Sequence, residues 1–324
     1  MFRQRKGLLI AVVVALLVVA NVVSPFKVTT IRIELAAEPV AHIGGWNITN
    51  TLLSSWVAGL LLVVLALAVR RKLVDAPAAL SLQNIVETIL EMLHNFMQSM
   101  VGPSARAFLP LVATFFLFIL TANWFSLLPG VGSLGIWRME GEERVFVPLF
   151  RGATTDLNTT IALAACSVVS IQAYGIYFRG FGKYMGHFVP LERVVEFFRA
   201  LFKEGQVKIG LLLGGLLDMF VGLLEIFEEL TKILSFSFRL FGNIFGGEVL
   251  LLVMAYLAPF VISIPFMILE LFGGFIQAFI FATLTTAFLG RATVSHDHLQ
   301  TAEEAHPAPA PSPQTALPSS PKGV

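Results

Sequence analysis

From Ile209 to Leu257 the chain reads as one almost unbroken apolar helix. Its 49 residues would run for ~73 Å at the ~1.5 Å rise of an α-helix. The hydrocarbon core of a bilayer is only ~30 Å thick. A single upright span cannot absorb that length, so the helix must break, extend beyond the membrane or lie strongly tilted. The rest of the chain requires a membrane as well: 56% of residues are hydrophobic, 13% are charged and the mean hydropathy is +0.81. Soluble domains average about a quarter charged residues, and a water-soluble core could not hide this much apolar surface. A polytopic, all-α membrane protein follows.

Composition also removes several classes of function. A net charge of +1 gives no case for nucleic-acid binding. Cys166 is the only cysteine, so a disulfide framework and a cysteine-based metal site are both excluded. The sequence lacks GxxxxGK[ST], so any nucleotide hydrolysis belongs to another chain. No cofactor is implied.

Within the long apolar run, Leu234 to Leu251 (LSFSFRLFGNIFGGEVLL) holds a single arginine, Arg239. An arginine at membrane depth costs ~2.5–3.5 kcal/mol on insertion scales. Its guanidinium does not deprotonate at any working pH, whereas burial can drive a lysine neutral. At about 100° per residue, Asp218, Glu225, Glu228, Glu229, Lys232, Arg239 and Asn243 fall within one arc about 100° wide, and apolar residues fill most of the remainder. Gly242, Gly246 and Gly247 lie beside this stripe, where small residues allow another helix close. A structural ladder is one reading, with Glu225, Glu228 and Lys232 pairing at helical spacing. A functional charge is the other, since ionisable groups inside membranes are functional by default.

In chain order, the basic start Arg3, Arg5, Lys6 precedes an apolar segment over residues 8–23. It reads as a retained membrane segment with its basic end inside, or as a removed leader. Residues 27–50 are mixed and polar, with a weak strand-like alternation in TIRIEL. Leu52 to Val69 is a span closed by Arg70, Arg71 and Lys72, which mark the cytoplasmic side. Ser81 to Met100 predicts an amphipathic helix with Leu82, Ile85, Ile89, Leu93, Phe96 and Met100 on one face; Gln83, Glu87, Glu91, His94 and Asn95 avoid it. It is expected at the interface, docked on neighbouring subunits, or as a plain surface helix.

Ala107 to Leu128 is the next span, and Gly130 to Arg151 a polar loop on the outer side. A further span runs from Leu157 to Phe178, with Asp156 placed to cap its first turn. Arg179 to Lys208 carries six cations and is expected in the cytoplasm, with Leu191, Val194, Val195, Phe198, Leu201 and Phe202 on one helix face. The last apolar helix extends from Phe266 to about Gly290; its strongly polar groups before Arg291 are Glu270 and Gln277, two turns apart on one face. His296, Asp297 and His298 read as a solvated helix end rather than a metal site, and a Pro/Ala/Ser-rich tail follows.

RLFGNIFGGE resembles the signature of the a subunit of F-type ATP synthases, the stator subunit that carries ions past a rotating ring. The resemblance runs from about Trp56 to Leu299, with several motifs in the expected order. It implies five core membrane helices, the last two long, near-horizontal and paired as a hairpin against the ring. It divides the chain into residues 1–26, an N-terminal basic-apolar segment; 27–50, an outer polar segment; 51–299, the membrane domain; and 300–324, a disordered tail. Asn123 and Pro129 resemble the family's Asn-to-Pro motif at a helix end.

The resemblance further implies that Arg239 is an electrostatic gate between two offset half-channels. Glu225, Asn243, Glu248, Glu270 and Gln277 would line these, and Asp156 would lie near the outer mouth. Glu270 stands where some members carry histidine; which of Glu248 and Glu270 is the principal relay is open, as is the choice between H⁺ and Na⁺. The implied partners are a c-subunit ring, a b-subunit peripheral stalk, a soluble ATPase head and the lipid of a bacterial plasma membrane. A secondary transporter with a charged intramembrane site, which predicts inverted repeats, and a purely structural scaffold are the alternatives.

Overall fold

A computed structural model describes residues 35–71, 73–74, 77–78, 80, 81–128, 130–140, 143–188, 209–257 and 263–293. The N-terminal apolar segment, TIRIEL up to Glu34, Pro129, the amphipathic stretch at 191–202, His296 to His298 and the tail lie outside these residues.

The elements follow the apolar pattern. Helix α1 is Asn50–Arg71, α2 is Leu82–Val101, α3 is Ala105–Ser126 and α4 is Leu157–Arg179. The short α5, Phe181–Phe188, is followed by α6, Ile209–Leu257, and α7, Ser263–Thr293. Among the described residues five helical segments are long and apolar enough to cross a membrane: α1, α2 running on into α3, α4, most of α6, and α7. Helix α6 is continuous over its 49 residues, as its sequence predicts. Pro265 sits in the first turn of α7, where its missing N–H would have had no helical partner.

Two small hairpins were not evident from hydropathy. Strands β1 (Pro39–Ile43) and β2 (Trp46–Thr49) pair antiparallel, as do β3 (Gly135–Glu140) and β4 (Glu143–Pro148). Ile43 pairs with Trp46, so the first turn has two residues, Gly44 and Gly45, both at positive φ (57° and 86°). Such a turn needs residues without a Cβ at both positions. The stretch expected to be a plain polar loop after Gly130 thus holds an ordered hairpin.

The core lies between α3, α6 and α7. Phe108, Val112, Phe116 and Ile119 of α3 face Ala278, Phe281, Ala282 and Leu289 of α7, with Phe236, Leu240 and Ile244 of α6 completing the cluster. Phe281 is the centre, with ring centroids 5.4 Å from Phe115 and 5.2 Å from Phe236. Hydroxyl pairs stitch the helices where apolar contact alone gives no register: Thr160 to Ser237 and Ser167 to Thr285, each at 3.0 Å. Away from this core the helices present apolar side chains outward, among them Leu60, Val64, Leu217, Phe220 and Phe227. A surface of that kind belongs against lipid or another membrane protein.

Helix α2 docks chiefly from Ile89 onward. Leu93 and Met97 are buried and Phe96 packs on Phe279 at 4.8 Å, while Leu82, Ile85 and Met100 of the predicted apolar face remain exposed. Gln83, expected on the polar face, is buried because its amide pairs with the Val74 backbone, accepting from N at 3.1 Å and donating to O at 2.9 Å.

The ends of the bundle differ in charge. Arg70 and Arg71 close α1, Arg179 closes α4 and Arg291 lies in the last turn of α7. The hairpins gather at the opposite end, where Asn50 donates to the Pro148 carbonyl at 3.4 Å. By the positive-inside rule the basic end is the one expected to face the cytoplasm.

Helices α3 and α7 approach closely at Gly274, where an added Cβ would lie 3.0 Å from the Cβ of Asn123. A larger side chain must push the helices apart, and overpacking of this kind costs about 1–3 kcal/mol. Gly274→Val is therefore expected to lower the thermal midpoint of the protein in mild detergent; an unchanged midpoint would mean that the contact is not tight.

Candidate functional site

Three polar features follow one another along α6: an ionic cavity toward the basic end, a single guanidinium, and an ion pair toward the hairpin end.

The cavity has a volume of about 740 Å³ and is lined by Glu225, Glu228, Glu229 and Lys232 of α6, with Arg179, Tyr184 and Arg291. Lys232 Nζ lies 2.6 Å from Glu229 and 3.2 Å from Glu228, and Arg291 is 3.7 Å from Glu228. The i,i+3 and i,i+4 spacing sets both lysine pairs. Phe288 forms an apolar wall, 4.8 Å from the Lys232 ammonium. Tyr184 of α5 is buried and donates to Gln172 Oε1, its ring lying against Gly175, where a Cβ would overlap it. Burial, reinforced by the charge of Glu229, pushes the Tyr184 phenol above its ordinary value against the opposing effect of Arg179. It remains a hydrogen-bond donor at neutral pH. The acidic stripe is thus partly the salt-bridge ladder expected of it, and it opens onto a cavity.

Arg239 lies beyond the cavity on the exposed face of α6, its Nη2 donating to Ser235 Oγ at 3.3 Å. Among the described residues it has no carboxylate partner. Its neighbours Leu234 and Phe238 are 51% and 54% exposed, so the guanidinium stands on an apolar face. The buried side of the same turns carries Phe236, Leu240 and Ile244. Asn243 follows one turn on, also exposed, with its amide near Gly273 of α7. Among the described residues, Gly242 and Gly246 meet no atom within 4 Å of an added Cβ, so their smallness serves no contact there.

At the hairpin end, Glu248 accepts from Arg151 at both oxygens: Nε lies 3.0 Å from Oε1 and 3.2 Å from Oε2, and Nη2 is 3.2 Å from Oε2. Glu270 of α7 lies against α6 where Gly247 leaves room; a Cβ there would overlap its carboxylate. Gln277 is buried two turns further along α7, only 4% exposed. Sequence reasoning therefore chose two carboxylates, Glu248 and Glu270, that the fold brings to one place.

Asp156 is buried and engaged. Oδ1 accepts from the backbone N of Asn158 at 3.0 Å, the geometry of an N-cap, and Oδ2 accepts from Thr51 of α1 at 3.1 Å. It pins the start of α4 to the start of α1. Asn123, the residue of the Asn-to-Pro motif, accepts from Thr154 at 2.6 Å and donates to the Gly274 carbonyl at 3.2 Å, joining this polar cluster to α7.

Arg151, Tyr184, Thr51 and Ser54 were not singled out from sequence. Arg151 did carry a signal: an arginine directly before a span on the non-cytoplasmic side runs against the positive-inside bias.

A family model described as ATP synthase A chain matches residues 52–290. The chain is 30% identical over 259 residues to ATP synthase subunit a of Moorella thermoacetica, covering 80% of this chain and 96% of that protein. It is 34% identical over 250 residues to ATP synthase subunit a of Gloeobacter violaceus, covering 76% of this chain and 85% of that one.

If Asp156 acts at its own position chiefly as a cap and clamp, its shape matters more than its charge. Asp156→Ala should destabilise the protein by about 1–2 kcal/mol, while Asp156→Asn, an equally good N-cap, should not. Thermal midpoints in detergent distinguish the two; equal losses would show that the charge itself is required.

Proposed function

The chain belongs to the ATP synthase A chain family, and on that premise we propose that it is the stator subunit through which protons pass to and from a rotating ring of carboxyl-bearing c subunits. Two half-paths would meet the ring at different places. The outer one runs past Asp156, Glu248, Glu270 and Gln277, and the inner one starts from the cavity at Glu225, Glu228 and Glu229. Arg239, with Asn243 beside it, separates them. Transport along this chain drives ATP synthesis on a soluble head, with a b-subunit stalk holding the stator still in a bacterial plasma membrane.

The observation that carries the reading is the position of Arg239. It faces outward among apolar side chains without a carboxylate partner among the described residues. It lies about 16 Å along α6 from Glu228 and about 14 Å from Glu248 at 1.5 Å per residue. A charge without a carboxylate partner among the described residues, midway between two ionic clusters, suits a partner that arrives from outside.

The magnitudes are adequate for switching. A cation ~4 Å from a ring carboxylate stabilises the ionised form by about 4 kcal/mol at an effective dielectric of about 20, which favours proton release about a thousand-fold. A carboxyl facing lipid is held neutral by desolvation of similar size. Passing the guanidinium therefore reverses the protonation state, and the same charge repels protons that would leak directly from one half-path to the other. Asn243 and Gln277 order water without titrating.

Replacing Arg239 with Ala is expected to abolish ATP-driven acidification of inverted vesicles containing the whole complex. Pumping at the parental rate would remove Arg239 from the mechanism.

A further inference from the structure

Two carboxylates stand together at the outer end of α6, and they are held very differently. Arg151 is a fixed post. Its side chain is only 9% exposed. Its backbone N donates to Ser54 of α1 at 3.1 Å and its Nη1 to the Ala36 carbonyl at 3.3 Å, and its guanidinium lies 5.8 Å from the Phe245 ring centroid. From that anchored position it occupies both oxygens of Glu248. Paired, two-toothed contacts of this kind fix orientation as well as charge. Glu270, by contrast, has no hydrogen bond or ion pair among the described residues. It is half-buried against Gly247, close enough to Glu248 to feel its charge.

We propose that Arg151 is a positioning residue that locks Glu248 in a permanent pair, leaving Glu270 as the carboxyl group that takes up and releases protons on the outer half-path. This rests on the reading of the chain as an ion-translocating stator and assigns separate roles to two groups that the sequence leaves equivalent. A carboxylate engaged at both oxygens by an anchored arginine gives up that ion pair when it takes a proton. A carboxylate without donors, one helix away, gives up none. With Arg151 removed, Glu248 becomes a second unpaired carboxylate beside Glu270 and competes for the same protons.

The test is ATP-driven acidification of inverted vesicles carrying the whole complex, normalised to the amount assembled. Glu270→Gln should lower the rate by roughly 100-fold, the scale of losing a proton-transfer group. Glu248→Gln should lower it only a few-fold. Arg151→Gln should lower it by about ten-fold through the exposed partner, and adding Glu248→Gln should restore most of that loss, as coupled neighbours do. A merely structural arginine would show no such rescue.

The proposal is overturned if Glu248→Gln loses as much pumping as Glu270→Gln, or if the double variant is no better than Arg151→Gln alone. Should Arg151→Gln not assemble, the comparison of Glu248→Gln with Glu270→Gln still decides. Parental pumping in both carboxylate variants would instead remove the outer half-path as drawn, a failure of the wider reading that leaves a different signature.

Discussion

A guanidinium held on an apolar face has few ways to be satisfied. Arg239 cannot lose its proton, and within the described residues it finds only the Ser235 hydroxyl. Other cations along α6 and at its neighbours are provided for: Lys232 by Glu228 and Glu229, Arg291 by Glu228, Arg151 by Glu248. Paired cations thus lie on either side of Arg239 along the helix. The fold keeps that charge at a fixed height by setting it on a helix whose opposite face, Phe236, Leu240 and Ile244, is clamped against α3, α4 and α7.

The same economy governs the polar groups that do not carry charge. Thr160, Ser167, Thr285, Asn123 and Gln277 are buried among apolar helices. The first four are each hydrogen-bonded across a helix–helix contact. In lipid the gain from each such bond is modest. Their larger effect is to fix which turn of one helix faces which turn of the next, a matter on which leucines and phenylalanines are indifferent.

How much of this could be read from the sequence depended on length. Helix α6 was legible because a mostly apolar run of 49 residues permits little else, and Arg239 because it is the one cation between Leu234 and Leu251. The stripe from Glu225 to Lys232 was legible as a ladder by its spacing, but its cavity was not, since Tyr184, Arg179 and Arg291 come from other elements. The hairpins were missed because four to six residues of strand barely perturb hydropathy, although Gly44-Gly45 before Trp46 is a tight-turn signal. The apolar face of α2 was legible from its spacing, but not that Leu93 and Met97 are covered by this chain while Leu82 and Ile85 stay exposed. Which of two carboxylates is paired depends on a loop residue nearly a hundred positions away.

Helix α6 has one further property, which comes from its ~3.6 residues per turn. Arg239 and Glu248 are nine residues apart, which turns them about half a revolution from each other around the axis. One looks out of the bundle while the other reaches the anchored Arg151. The body of the helix itself, with its hydrogen bonds all spent internally, therefore stands as a dielectric wall between them. No straight file of water can run down its side from the carboxylate to the guanidinium. Any path between the two must run around the rod, a consequence of the number of residues per turn before any side chain is consulted.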